Sequence, residues 1–238
     1  MYVAVLFLMM QGLKEYNEAL KNKNNTIYPG VLSILAVIMF ICNVLSEKIS
    51  VRFYLMFICF YLITVCVDLI MVNRNISIKK RLLFWLGITY ILVGFESMIL
   101  IRNFIPKGEF FTWMIFVITV ISDSMAYFTG KLFGKRKLIP SVSPNKTVEG
   151  SLGAIIFTII GCVLYGLTGS INIGNLVVIG LLGSITSQCG DLIASKLKRY
   201  VGIKDFSNLI PQHGGVLDRL DSALLVSQFM IIVLLVLI

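Results

Sequence analysis

Long apolar runs alternate with short polar stretches along the whole chain. The runs fall at about residues 1–13, 30–46, 53–72, 82–101, 110–129, 151–168, 175–195 and 222–238. Most are rich in Leu, Ile, Val and Phe, and they approach the roughly 20 residues that a helix needs to cross a hydrocarbon core about 30 Å thick. The pattern predicts an all-α, polytopic integral membrane protein with about eight transmembrane helices. The first run is the exception, because about 13 helical residues rise only about 20 Å. It lacks the basic leader and small-residue cleavage site of a signal peptide. It reads as the end of a longer helix, or as a tilted or re-entrant start. No internal repeat interrupts the pattern, so residues 1–238 read as a single integral membrane domain. Residues 1–110 form a helical scaffold and 111–238 the working half.

Composition agrees with the pattern. The 238 residues are 58% hydrophobic and 14% charged, with a mean hydropathy of +0.92. A soluble domain carries about 25% charged residues, and one of this length cannot hide so much apolar side chain. A soluble enzyme, a secreted disulfide scaffold and a disordered chain are excluded. Cys42, Cys59, Cys66, Cys162 and Cys189 all lie in apolar runs without CxxC spacing. They read as small packing residues, with no disulfide and no zinc.

Charge adds orientation. The formal net charge is +9, and 17 of the 21 basic residues fall in the odd-numbered connections between runs. Basic residues collect on the cytoplasmic side, so the odd connections are expected there and both termini outside. A basic balance also suits anionic headgroups or a nucleotide. Nucleic acid is a poor partner, since no soluble basic domain exists to hold it.

Acids within or beside apolar runs are costly and therefore informative. Asp68 and Glu96 read as packing or interfacial groups. Asp123 and Asp191 differ, because each leads into one of two unusual connections, about 130–150 and 196–221. On a helix, Asp191 and Ser195 are i,i+4 neighbours and share a face with Lys198. Asp218 and Asp221 are i,i+3 at the start of the last run, where acids suit the positive end of the helix dipole. A third of the chain's acids sit within residues 191–221, beside its only histidine, His213. Asp191 and Asp218 are expected to converge on one divalent cation, for which hard oxygen ligands suit Mg²⁺ with phosphate. The first connection places glycines between cations (Gly130-Lys131, Gly134-Lys135), which lets amides and ammonium groups approach phosphate. It has no Walker spacing.

Two strings then become recognisable. Ser195-Lys-Leu-Lys198-Arg199, Lys204-Asp205, Pro211-Gln-His213-Gly214-Gly215, Asp218-Arg219 and Asp221 resemble the signature of the phosphatidate cytidylyltransferases, the CDP-diacylglycerol synthases. Upstream, Asp123…Ala126-Tyr127…Gly130-Lys131…Gly134-Lys135 and Ser143-Pro144-x-Lys146-Thr147-x-Glu149-Gly150 resemble the same family. The likeness is strong over about 120–222. One departure is Gln212, where the family usually has Gly.

The resemblance implies transfer of CMP from CTP to phosphatidate in the bilayer, giving CDP-diacylglycerol and pyrophosphate for phospholipid synthesis. Positioning and charge neutralisation carry such transfers, and no covalent enzyme intermediate is needed. It implies Mg²⁺ on Asp191, Asp218 and Asp221, with a monovalent ion such as K⁺ as an open addition. Lys198, Arg199 and Lys204 would neutralise phosphates, with Asp205 and Arg219 in the same signature. Ser195, His213 and Gly214, with Gly215 adjoining, would orient phosphate oxygens. Asp123, Ser143 and Lys146 would complete the nucleotide side. The expected setting is a bacterial-type inner membrane, with the catalytic half (111–238) facing the cytoplasm in a homodimer. Two alternatives stay open: a CTP-dependent enzyme acting on another lipid phosphate or a polyprenol, and a lipid or ion transporter.

Overall fold

A computed structural model describes residues 2–21, 62–63, 65–66, 78–169, 171–207, 209 and 214–237. The expected spans at 30–46 and most of 53–72 lie outside the described residues, as do Asp68 and His213. The long elements are α1 (Tyr2–Lys21), α2 (Ile78–Phe104), α3 (Gly108–Phe133), α4 (Val148–Gly166), α5 (Ile173–Val201) and α6 (Leu217–Leu237). Two short strands, β1 (Lys137–Ile139) and β2 (Ser143–Thr147), pair antiparallel between α3 and α4. A helix satisfies all its own backbone groups, which is what an apolar surround demands of a spanning segment. Among the described residues, five helices, α2 to α6, are long and apolar enough to cross a membrane.

Several expectations are refined. The first helix continues beyond the apolar run to Lys21. Its second half carries Gln11, Lys14, Glu15 and Glu18, so apolar content stops marking it while helical periodicity persists. Val5, Met9, Leu13, Tyr16 and Leu20 form one buried stripe along it. The remaining helices likewise outrun their apolar cores; α5 ends at Val201, which places Lys198 and Arg199 in its last turn. There the left-handed Gly202 (φ 81°) closes the helix, and the two cations suit its negative end. The β1–β2 hairpin carries no apolar alternation, so the hydropathy pattern marks it only as a connection.

The chain divides into two compact bodies. One comprises Met1–Glu96 with Asp205–Asp218, the other Ser97–Lys204 with Arg219–Ile238. In the first, Tyr16 stacks on Phe84 at 6.4 Å and its hydroxyl donates to the Leu83 carbonyl (2.8 Å). Gly87 seats that ring, since a Cβ there would lie 2.1 Å from it.

In the second body α3, α4 and α5 pack against one another. Close approach is made where small residues face a neighbouring backbone. A Cβ at Gly150 would fall 2.7 Å from the Ala126 carbonyl, and one at Gly180 would fall 2.7 Å from Cα of Ile159. Thr147 caps α4 by accepting from the Gly150 amide (3.1 Å), and Asn172 caps α5 through Gly174 (2.8 Å). Buried Ser122 and Ser184 join α3 to α5 at 3.2 Å.

The Gly180 contact gives a stability test. Gly180→Val must push α4 away from α5, an overpacking cost of about 1–3 kcal/mol. Thermal unfolding in detergent should show a midpoint several degrees lower; an unchanged midpoint would contradict this packing.

Candidate functional site

The second body holds an open cavity of about 370 Å³ beside the C-terminal part of α3, the middle of α5 and the start of α4. Its walls come from Asp123 and Tyr127 of α3, Lys146 of β2, Ser151 of α4, and Gln188 and Asp191 of α5. These residues are scattered over almost seventy positions, and the hairpin between α3 and α4 brings them together. The Lys146 ammonium pairs with the Asp191 carboxylate. Both side chains remain partly open to solvent, at 25% and 31%. Ser195, one turn beyond Asp191, donates its hydroxyl to the same carboxylate (3.2 Å). The i,i+4 relation expected from the sequence is therefore a hydrogen bond.

Asp221 joins this group through a helix crossing. A Cβ at Gly190 would lie 2.9 Å from the Asp221 carbonyl and 3.1 Å from Cα of Ser222. Only glycine lets α5 and α6 meet so closely, and the contact sets Asp221 beside the turn that carries Asp191. Asp123, Asp191 and Asp221 repel one another electrostatically, while Lys146 offsets the repulsion at Asp123 and Lys198 at Asp221. Among the described residues, no group of three or more His, Cys, Asp or Glu side chains is arranged as a preformed metal cage.

The hairpin is held by Glu149. Its carboxylate accepts the backbone amides of Lys135 (3.0 Å) and Arg136 (3.2 Å), and Val148 donates to the Arg136 carbonyl (2.9 Å). This ties the open end of the strand pair, where β1 begins and β2 ends, one residue from Lys146. Gln188 is also fully engaged: Ser151 donates to its oxygen (2.5 Å), and its nitrogen donates to the Ser151 carbonyl and to Ser184 (both 3.3 Å).

The other expected site residues are distributed as follows. Arg199 donates to the Ile203 carbonyl (3.4 Å), and Lys204 and Arg219 are exposed. Ser143 begins β2 and does not line the cavity. Asp205, Gly214, Gly215 and Asp218 belong to the first body. There Asp218 Oδ2 accepts the amides of Phe206 (2.8 Å) and Gly215 (2.9 Å). Gly214 takes a left-handed φ of 80° against that side chain.

Sequence reasoning gave no individual role to Tyr127, Asn145, Glu149, Ser151 or Gln188, and read Lys131 only as a cation between glycines. Tyr127, Lys131, Asn145 and Glu149 stand inside the recognised strings. Tyr127 and Lys131 are i,i+4 on α3, with the ammonium 5.8 Å from the ring centre. The Ser151–Gln188 pairing spans 37 positions and leaves no local signal.

Apolar spanning helices around an ion-paired cavity define a multi-pass membrane protein with a charged, phosphate-compatible site. The chain belongs to the cytidylyltransferase family, whose sequence model matches residues 1–237. A phosphatidate cytidylyltransferase of Bacillus subtilis (strain 168) is 42% identical over 147 residues, covering 61% of this chain and 55% of that protein. Those of Staphylococcus haemolyticus (strain JCSC1435) and Staphylococcus aureus (strain COL) are each 36% identical over 151 residues, covering 63% of this chain and 57% of the relative. The matched stretch thus spans little more than half the length of these curated relatives.

Glu149→Gln tests the hairpin. It removes one acceptor oxygen from two amides, and such charge-assisted bonds are about twice as strong as neutral ones. Hydrogen exchange at Lys135 and Arg136 should rise about tenfold, with exchange in mid-α5 unchanged.

Proposed function

We propose that this chain transfers CMP from CTP to phosphatidate, giving CDP-diacylglycerol and pyrophosphate. The observation that carries the reading is the Lys146–Asp191 pair at the cavity. Lys146 belongs to the upstream string, and Asp191 accepts the hydroxyl of Ser195, which opens the second, so the pair links the two strings at one charged cavity. The names of the relatives support the same substrates.

The chemistry needs little from the protein beyond placement. An ionised phosphate oxygen of the lipid attacks the α-phosphorus of CTP. A P–O bond forms there, the bond from the α-phosphorus to the α,β-bridging oxygen breaks, and pyrophosphate leaves with the electron pair. Lys146, Lys198, Arg199 and Lys204 neutralise the triphosphate and the lipid phosphate. Ser195 and the Gly214–Gly215 turn orient phosphate oxygens, and His213 serves the same end. Asp123 and Ser143 complete the nucleotide side, while Asp205 and Arg219 complete the signature.

Mg²⁺ fits the donor set in chemical type. Asp191, Asp218 and Asp221 are hard oxygen ligands, and Mg²⁺ characteristically takes one or two carboxylates and completes its shell with water and substrate phosphate. The Asp191 carboxylate is partly open to the cavity, so it can offer an oxygen to such an ion. When bound, the ion would neutralise charge building on the phosphates. K⁺ would be a supplementary ion.

The same reading sets about eight helices in a bacterial inner membrane. The odd connections, and with them the cavity, face the cytoplasm, and two copies form a homodimer. The alternation of basic residues supports the orientation.

The test is CDP-diacylglycerol formation from labelled CTP and phosphatidate by the purified full chain, with and without Mg²⁺. Asp191→Asn should lower kcat at least about 100-fold, and Lys146→Ala should raise KM for CTP about tenfold or more. Wild-type protein that makes no product, or an Asp191→Asn variant as fast as wild type, would overturn the reading.

A further inference from the structure

Glu15 lies on α1, outside both recognised strings, yet it is only 1% exposed. A buried carboxylate is costly unless its oxygens are satisfied. Here its Oε1 accepts the Ser207 hydroxyl (2.8 Å), the Val216 amide (3.0 Å) and the Gln11 side-chain amide (3.3 Å). Its Oε2 accepts the Leu217 amide (3.0 Å). Val216 and Leu217 open α6, so the charge sits where that helix has orphan amides and positive dipole.

Capping alone would need only the two amides. The same Oε1 also holds Ser207, on the far side of residues 208–215, which include Pro211, Gln212, His213, Gly214 and Gly215. One carboxylate therefore ties Ser207 to the start of α6, next to Asp218. Asp218 makes a parallel closure through Phe206 and Gly215. Gly215 completes the fit, because a Cβ there would lie 2.4 Å from Glu15 Oε2 and 2.7 Å from Ser207 Oγ.

We infer that Glu15 is a positioning residue for cytidylyl transfer, a clamp from the first helix that ties Ser207 to the start of α6 and so sets Asp218 there. This rests on the proposed function. Glu15 reaches no reacting atom; it acts by holding the turn of α6 that carries Asp218.

The experiment compares wild type, Glu15→Gln, Ser207→Ala and the double variant in purified full-length protein. Amide hydrogen exchange and CDP-diacylglycerol kinetics are measured on each. Glu15→Gln keeps the side chain's shape but turns one acceptor into a donor facing donors. Exchange at Val216 and Leu217 should rise about tenfold, and kcat should fall about tenfold or more. KM for CTP should stay within about twofold, since the Lys146–Asp191 cavity is built from other residues. Ser207→Ala should lower kcat less, and add little to Glu15→Gln, because both break one clamp.

Unchanged exchange at 216–217 in Glu15→Gln would overturn the clamp. Raised exchange with unchanged kcat would overturn its catalytic role. If Glu15→Gln does not fold, Ser207→Ala alone decides, and an unchanged kcat there refutes the proposal. A wild type that makes no product sinks the functional reading and the positioning role with it, while the exchange data still decide whether the clamp exists.

Discussion

A lysine and an aspartate in contact, Lys146 and Asp191, set the terms for the rest of the second body. Charge within apolar surroundings must be neutralised or solvated, and this pair has both, being partly open to the cavity. Holding the pair requires β2 to stand over α5. That in turn requires the hairpin to close, which Glu149 secures through two amides. Asp123, Asp191 and Asp221 against Lys146 and Lys198 leave one more carboxylate than ammonium in the group.

The helices around the cavity meet through small and polar residues rather than large apolar ones. Between apolar helices in lipid there is no hydrophobic gain from association, so close packing and interhelical hydrogen bonds must hold them. Gly150, Gly180 and Gly190 supply the close approaches. Ser122, Ser184, Gln188 and Ser151 form a continuous hydrogen-bonded chain linking α3, α5 and α4. The chain ends at the cavity wall, so the interactions that join the helices also hold the site's lining still.

Much of this was legible beforehand because membrane segments announce themselves by length and composition. The runs near 82–101, 110–129, 151–168, 175–195 and 222–238 each became a long helix. Their ends did not, because helices persist through polar residues that the hydropathy pattern treats as loop. The Asp191–Ser195 contact was readable, since helical spacing is a local rule. The hairpin was not, because its strands are polar and its stability comes from Glu149 and Lys146 reaching outside the strand pair. Glu15 was invisible for a related reason: its partners lie 192 to 202 positions away. Nothing in the local sequence of α1 distinguishes it from Glu18.

The acids therefore fall into two kinds by what they accept. Glu15, Glu149 and Asp218 each bind two backbone amides, so their charge is spent fixing chain direction at the ends of helices and loops. Asp191 accepts from side chains, a lysine and a serine, which can exchange for a ligand without disturbing the backbone. Asp218 is the instructive case, since family resemblance gives it a metal and the structure gives it two amides on Oδ2. A carboxylate offers about four acceptor sites, so the roles are compatible. The amides lock the side chain's rotamer and direct the carboxylate before any substrate arrives. In the proposed reaction, anchoring those amides and presenting an oxygen would be one act of preorganisation, for which an aspartate suits the position better than a longer, freer acid.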